Sequence, residues 1–303
     1  MIFPAVLKPG DTVAIAALSS PVEIGIEQAC KTAVESMGYN VVLGNCVSKS
    51  IRGYAAGTGA EKADDLMGMF RDKSIKAIWC LRGGISSSHV VDKLDYAEIK
   101  RNPKIFVGYS DITTLHVMLN QKSSLVTFHG PMVRTNMLEK YDDFTRSNFE
   151  LALNFCDGFS LSNPPGEKIM VASEGRAEGV IVGGNLALLT SMLGTPYQVE
   201  IRGKILFIED VNEKLNKVDR MLHHLRYAGK FEGLKGLIVG DFSNCELDDP
   251  RYGLAELLAD EVGTLGIPVL YNIKSGHCFP MSTIPLGAWC EMDTSTKSIK
   301  FTR

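Results

Sequence analysis

The chain has 303 residues, 45% of them apolar and 22% charged, with a formal net charge of −3. That length admits two modest domains or one large one, and the composition is that of an ordinary globular protein. No basic block or nucleic-acid-binding signature is present, which argues against a nucleic-acid partner. No apolar run approaches the roughly 20 residues of a membrane span, which argues against a membrane protein.

The opening MIFPAVLKPGDTVAIAALSS has its apolar stretch interrupted by Lys8, Pro9, Gly10 and Asp11, with no basic segment ahead. It does not read as a signal peptide, and a cytoplasmic location is expected. Residues 12–18 read as a strand. Over 22–37, Ile26, Cys30, Ala33 and Met37 share one helical face, and Gly38 closes the segment. There follow a short strand at 41–43, a helix at 60–71, a buried strand at 75–81 (IKAIWCL) and a helix at 86–94. Then come a strand at 104–108, a helix at 111–120 and a strand at 125–128 leading into His129. This alternation predicts an α/β fold: a parallel sheet with helices on both faces, and ligands beyond the carboxyl ends of the strands.

DGFSLSNPPGEK punctuates the chain with Gly, Ser, Asn and a Pro-Pro pair. The expected division is a first domain at 1–158, a linker at 159–176 and a second domain at 177–303. The second part opens with VIVGGNLALLTSMLGTPY, read as strand, Gly-Gly turn and helix. A strand at 204–210 and a helix at 214–228 follow, the helix striped by Leu215, Val218, Leu222 and Leu225 and ended by Gly229. LKGLIVGDF is the next strand, 252–262 the next helix and PVLYN a further strand, with β-structure after Pro285. The seven cysteines are scattered with no C-x-x-C pair, as reduced thiols would be.

KIFVGYSDITTLHVML (104–119) carries the clearest chemistry. Its strand ends at Gly108, Tyr109-Ser110-Asp111 turns the chain, and a helix begins. Ser110 thus sits at a strand-to-helix turn beside the positive end of a helix, the position of a nucleophile elbow, although Ile112 stands where G-x-S-x-G has its second glycine. A serine nucleophile needs a base. His277, just past a strand and after Gly276, is the best placed. His129 remains open as an alternative, whereas His116 falls inside a helix and should pack. The orienting acid could be Glu209 or Asp210, at the end of KILFIED, with Asp210 also reading as a helix-start carboxylate. LRGGISSS (81–88) and GGNL (183–186) could turn backbone N–H groups toward a ligand. AAGTGAEK lacks G-K-[ST], and there is no H-E-x-x-H or Cys/His cluster, so neither phosphate-loop nor metal chemistry is expected.

Taken in order, LKPGDTVAIAALSSP, LRGG, NPKIFVGYSDITTLH, TFHGPM, GGNLALLTSMLGTPY, LFIEDVNE, VDRMLHHL, GH and IPLGA make the chain similar, nearly end to end, to the LD-carboxypeptidases, a family that includes the microcin-immunity peptidases. The resemblance implies a flavodoxin-like first domain related to class I glutamine amidotransferases, a smaller α/β second domain, and a homodimer. It implies Ser110 as nucleophile, Glu209 as acid and His277 as base, with the backbone N–H groups of Gly84 and Asp111 as oxyanion hole and no cofactor or metal. The implied substrate is a murein tetrapeptide, or its nucleotide-linked precursor, losing a terminal D-alanine. An acyl-nucleotide substrate of the microcin-immunity type and a silent binding protein are the rival readings. Two departures stand out: Ile85-Ser86 where the family commonly reads Tyr-Gly, and Cys278 where it often has Gly.

Overall fold

A computed structural model of the protein describes residues 1–246 and 251–303. The apolar runs of the first half become five strands: β1 (Thr12–Ala16), β2 (Asn40–Leu43), β3 (Ile75–Cys80), β4 (Ile105–Gly108) and β5 (Thr127–His129). They are parallel and lie in the order 2-1-3-4-5, the flavodoxin-like arrangement. Helices α1 (Glu27–Glu35), α2 (Gly59–Arg71), α3 (Tyr96–Arg101) and α4 (Thr113–Ser123) make the crossovers, and α5 (Asp143–Asn154) follows β5. Every residue of β4 is buried, and all of β3 except Lys76. Helices cover both faces, which is why these strands read as apolar runs rather than alternations. The stretch AAGTGAEK serves α2: Thr58 caps it, and Glu61 returns a bond to the Thr58 N–H at 2.8 Å.

The second half contributes β6 (Phe159–Ser160), β7 (Met170–Ser173), β8 (Arg176–Asn185), α6 (Leu186–Ser191), β9 (Ile205–Val211), α7 (Leu215–Tyr227), β10 (Gly236–Ser243), α8 (Leu254–Glu261), β11 (Val269–Tyr271), β12 (Ile284–Leu286), β13 (Trp289–Asp293) and β14 (Ser298–Thr302). Seven of these strands join β8 in an eight-stranded sheet except β12, the order being 6-14-13-8-9-10-11-7. Its centre, β8 to β11, is parallel. β8 pairs with β13 over its first half and with β9 over its second. The Leu215, Val218, Leu222 and Leu225 stripe of α7 is buried, as its spacing requires.

Three expectations are corrected. Residues 86–94 form two single 3₁₀ turns, Ser87–His89 and Val91–Lys93, because Ser86 and Ser87 spend their hydrogen bonds on tertiary partners rather than on a helix. Gly183-Gly184 is no turn: β8 runs through both. A Cβ at Gly183 would fall on the Phe207 carbonyl of β9, and one at Gly184 would lie 2.5 Å from Thr113 Oγ1, so these glycines permit close approach. The segment 159–176, expected as a linker, carries β6 and β7, the two edge strands of the second sheet.

β12 crosses back. It pairs antiparallel with β5, Ile284 opposite His129, and becomes the sixth strand of the first sheet. Asn185, at the end of β8, donates its N–H to Thr113 Oγ1 at 2.9 Å, and stands in register with Glu209 of β9. The start of α4 and the carboxyl ends of β8 and β9 are thereby fixed against each other.

Candidate active site

Ser110 follows the carboxyl end of β4. Tyr109 is fully extended, Ser110 has φ 64°, and a 3₁₀ turn from Ser110 to Ile112 feeds α4. A left-handed serine costs conformational energy, of order 1–3 kcal/mol for a strained site, and its result is a hydroxyl turned out of the sheet at a helix start. The neighbours are shaped to permit this. A Cβ on Gly108 would sit 2.9 Å from Ile112 Cγ2, and one on Gly83 would lie 2.9 Å from Ser110 Cβ and 3.0 Å from its Oγ. The loop after β3 therefore lies directly against the hydroxyl, and only glycine fits there.

Gly84 has φ 148° and abuts Ser19 and Ser20 of the loop after β1. Among the described residues its N–H has no partner. The N–H of Asp111 belongs to the first turn of a helix, where intrahelical acceptors are lacking. The Asp111 side chain is buried and points the other way: it accepts from Ser19 Oγ and from the Ser87 N–H at 2.8 Å. Ser86 Oγ donates to the Ser19 carbonyl at 2.9 Å, and buried Lys62 donates to Ser86 O at 2.6 Å and Oγ at 2.8 Å. Lys62 carried no signal in the sequence, since a lysine in an amphipathic helix ordinarily faces water. Here it stiffens the loop that Gly84 belongs to.

Glu209 lies in β9 with no solvent exposure, between two glycines. A Cβ on Gly240 of β10 would be 3.0 Å from Glu209 Cβ, and one on Gly276 would be 2.5 Å from Glu209 Oε2. Its Oε2 accepts from His277 Nδ1 at 2.7 Å. A carboxylate can only accept, so Nδ1 carries the proton and Nε2 is left as the basic nitrogen. Burial works to lower the His277 pKa. The charge and hydrogen bond of Glu209, helped by Asp210 and Asp241, outweigh it and raise the value above the ordinary 6.5. The His277 loop is tied at both ends: Ser282 N–H bonds Lys274 O at 2.6 Å, Met281 N–H bonds Thr145 Oγ1 at 3.0 Å and Thr283 N–H bonds Asn148 Oδ1 at 2.8 Å. The Tyr109 ring, next to Ser110, packs edge-on against His277 with centroids 5.0 Å apart. Among the described residues no hydrogen bond reaches Ser110 Oγ. Such bonds often tighten only when substrate arrives.

The alternatives separate on geometry. His129 is fully buried, both ring nitrogens lack a partner among the described residues, and burial pushes its pKa well down; it sits behind Tyr109 rather than lining the cleft. His116 packs, donating Nε2–H to Gly108 O at 2.8 Å and contacting Thr127 Oγ1 at 2.8 Å. Asp210 is committed to α6: it accepts from Ala187 N–H at 2.9 Å, Asn185 Nδ2 at 3.0 Å and Val211 N–H at 2.8 Å, while burial raises its pKa to about 6. The GGNL segment thus orients a strand end rather than a ligand. One group of metal-ligand type converges among the described residues, Asp219, His223 and Glu261, and it is closed by its own ion pairs with His223 and Arg226. No helix among the described residues is long and apolar enough to cross a membrane.

Residues 13–130 match the LD-carboxypeptidase N-terminal domain and residues 178–292 the LD-carboxypeptidase C-terminal domain. A relative in Bacillus subtilis (strain 168), described as a probable murein peptide carboxypeptidase, is 38% identical over 97% of this chain and 92% of its own. The crystal structure of muramoyltetrapeptide carboxypeptidase from Oxalobacter formigenes superposes with a TM-score of 0.83 at 28% identity, over 96% of this chain and 97% of that one. The microcin C7 self-immunity protein MccF in complex with aspartyl sulfamoyl adenosine superposes with a TM-score of 0.91 at 28% identity, over 100% and 99% of the two chains. The chain belongs to the LD-carboxypeptidase family.

Proposed function

We propose that this member of the LD-carboxypeptidase family is a serine carboxypeptidase that releases the terminal D-alanine from murein tetrapeptides or their nucleotide-linked precursors. The observation that carries the reading is the Glu209–His277 pair, 2.7 Å apart, whose imidazole packs against the ring of Tyr109, the neighbour of Ser110 in its left-handed elbow. In this reading His277 Nε2 takes the Ser110 proton as Oγ attacks the carbonyl carbon of the L,D amide. Glu209 holds the imidazole and stabilises its cation. The N–H groups of Gly84 and Asp111 receive the oxyanion, each such donor being worth roughly 10²–10³ in rate. His277 then protonates the departing amine, and water repeats the sequence on the acyl-enzyme. We place the enzyme in the cytoplasm as a homodimer, as the family resemblance implies.

The test is release of D-alanine from L-Ala-γ-D-Glu-diaminopimelate-D-Ala by wild type and Ser110→Ala side by side. Wild-type release and a loss of about 10⁶ in kcat in the variant is the expected result. Absence of release by the wild type rejects the substrate. A second reading, hydrolysis of acyl-nucleotide conjugates, is favoured by the likeness to MccF with its aspartyl sulfamoyl adenosine. It needs an aromatic free to stack on a base. Trp79 is buried in β3 and Trp289 lies in β13, while Phe279, exposed beside His277, has Lys140 Nζ 4.5 Å above its ring. Turnover of an aminoacyl-sulfamoyl adenosine in preference to the tetrapeptide would establish that reading.

A further inference from the structure

A carboxypeptidase differs from an endopeptidase in one recognition event: it takes a chain end that carries a free carboxylate. The scissile carbonyl carbon and the carbon of that carboxylate are three bonds apart, so bond lengths keep them within roughly 4 Å of each other. The group that receives the carboxylate must stand beside the nucleophile. It must also be a cation that no protein acid already neutralises.

Four cations lie on or against the loops that carry Gly83 and His277. Arg134 is held by Glu23 at 3.1 Å and Glu139 at 2.6 Å. Lys274 is held by Asp241 at 3.2 Å and Glu167 at 3.7 Å. Lys140 is exposed and stands over the Phe279 ring. Arg82, like Lys140, is in no ion pair among the described residues, and it differs from Lys140 in its place. It is half-buried and immediately precedes Gly83, whose α-carbon faces Ser110. Its Nε and Nη1 donate only to the main-chain carbonyls of Gly83 and Pro21, each at 3.2 Å. Among the described residues no carboxylate lies within ion-pair distance of it; Glu23 feels its charge but spends its hydrogen bonds on Arg134. A guanidinium has five N–H donors, so an edge of the fork remains for a ligand. Arg82, Arg134 and Lys140 line one hollow with Glu23, Glu139 and Phe279. Three cations there face two carboxylates, which leaves one positive charge over. The hollow begins at the oxyanion loop and reaches, through Phe279, the loop that carries His277.

We propose that Arg82 receives the free terminal carboxylate of the substrate in this hollow, its guanidinium fork meeting both carboxylate oxygens and restricting the cleft to chain ends. This rests on the carboxypeptidase reading above. Bidentate arginine–carboxylate pairing is the geometry that gives both strength and orientation.

The experiment compares wild type, Arg82→Gln and Arg82→Lys on the tetrapeptide and on the same peptide ending in D-alaninamide. Wild type should prefer the free acid. Arg82→Gln should raise KM for the acid about 10- to 100-fold, the value of a charged hydrogen-bonded contact, with kcat little changed. Its rate on the amide should fall much less than its rate on the acid, so the preference for acid over amide collapses. Arg82→Lys, which keeps the charge without the fork, should restore part of that preference. An equal loss on acid and amide would mean that Arg82 only braces the loop, and the proposal falls. It falls alone if the wild type releases D-alanine and Arg82→Gln keeps the preference for the acid. If the wild type hydrolyses neither substrate, the carboxypeptidase reading falls and takes this inference with it.

Discussion

Gly276→Ala should disable the enzyme without touching any group that meets substrate. Gly276 has φ 116°, and a Cβ there would lie 2.5 Å from Glu209 Oε2 and 2.9 Å from Glu209 Cβ and Cγ. An alanine in that conformation costs about 1–3 kcal/mol in backbone strain. Glu209 has little room to give way, because the side chain is fully buried and Gly240 closes its other flank, so any shift that relieves the contact comes at the expense of its bond to His277. Oε2 must leave His277 Nδ1, and a hydrogen bond to a charged group contributes about 1.5–3 kcal/mol. Together these set a loss of roughly 3–6 kcal/mol and a fall in Tm of the order of 10 °C. Loss of the orienting acid in a triad costs about 10⁴ in kcat, so kcat should fall by about 10²–10⁴ while KM moves only a few-fold. D-alanine release and thermal unfolding by circular dichroism read the two effects. Gly38→Ala separates them: Gly38 also has positive φ, 89°, but nothing lies within 4 Å of its Cβ position. That variant should lose about 1–2 kcal/mol and keep its kcat. A Gly276→Ala enzyme with kcat within threefold of wild type would refute the claim that Glu209 acts from this seat.

Lys62→Met removes both hydrogen bonds to Ser86 and a buried cation that interacts with the Asp111 charge, and should cost about 2–4 kcal/mol in urea unfolding; a change under about 0.5 kcal/mol would show that the network contributes nothing to stability. The acid limb of kcat/KM should lie above pH 6.5, because His277 must be neutral to accept a proton and Glu209 outweighs the lowering effect of burial on its pKa. Glu209→Gln removes the largest raising cause, so the limb should move to lower pH as kcat falls, and an unmoved limb would assign it to another group. The same raised pKa makes the His277–Glu209 contribution to stability fully present below pH 6.5 and lost as pH climbs through the folded value. Iodoacetamide should label Cys156, the exposed thiol, and leave turnover intact, since Cys80 and Cys278 are buried and burial pushes their thiols up; inactivation tracking a label on Cys278 would point to that thiol rather than Ser110 as the nucleophile.

What the sequence made legible follows from how far each feature reaches along the chain. IKAIWC and IFVG are strands because both faces are covered, and an apolar run says as much locally. The elbow at Ser110 is legible for the same reason: strand end, turn and helix start are neighbours in sequence. The partner of the histidine is not local, since Glu209 and His277 are 68 residues apart. Spacing alone therefore leaves Asp210 and His129 as candidates, and it is their burial and hydrogen-bond commitments that favour Glu209 and His277 in the proposed triad. Gly183-Gly184 misled because glycine permits both a turn and a close approach, and only the position of Phe207 and Thr113 decides between them. β6 and β7 are edge strands of two and four residues, too short to leave a pattern, and their partners β14 and β11 pair across Lys300–Ser160 and Val269–Ser173, far along the chain.

The Ile85-Ser86 departure shows how such distant contacts turn a loop substitution into a structural one. Ile85 is 67% exposed, so an exchange of side chain there alters the surface of the loop and little else. Ser86 is fully buried, takes a hydrogen bond from Lys62 and gives one to Ser19, and so closes a chain that runs from α2 through the loops after β3 and β1 to Asp111. A glycine at 86 could accept from Lys62 only through its carbonyl and could give nothing to Ser19. The serine therefore couples the Gly84 loop to the elbow more tightly than the family's common residue would. Lys62 and Ser86 consequently stand or fall together: the double variant Lys62→Met, Ser86→Gly should cost clearly less stability than the sum of the two single changes, because each single change already breaks the bond they share.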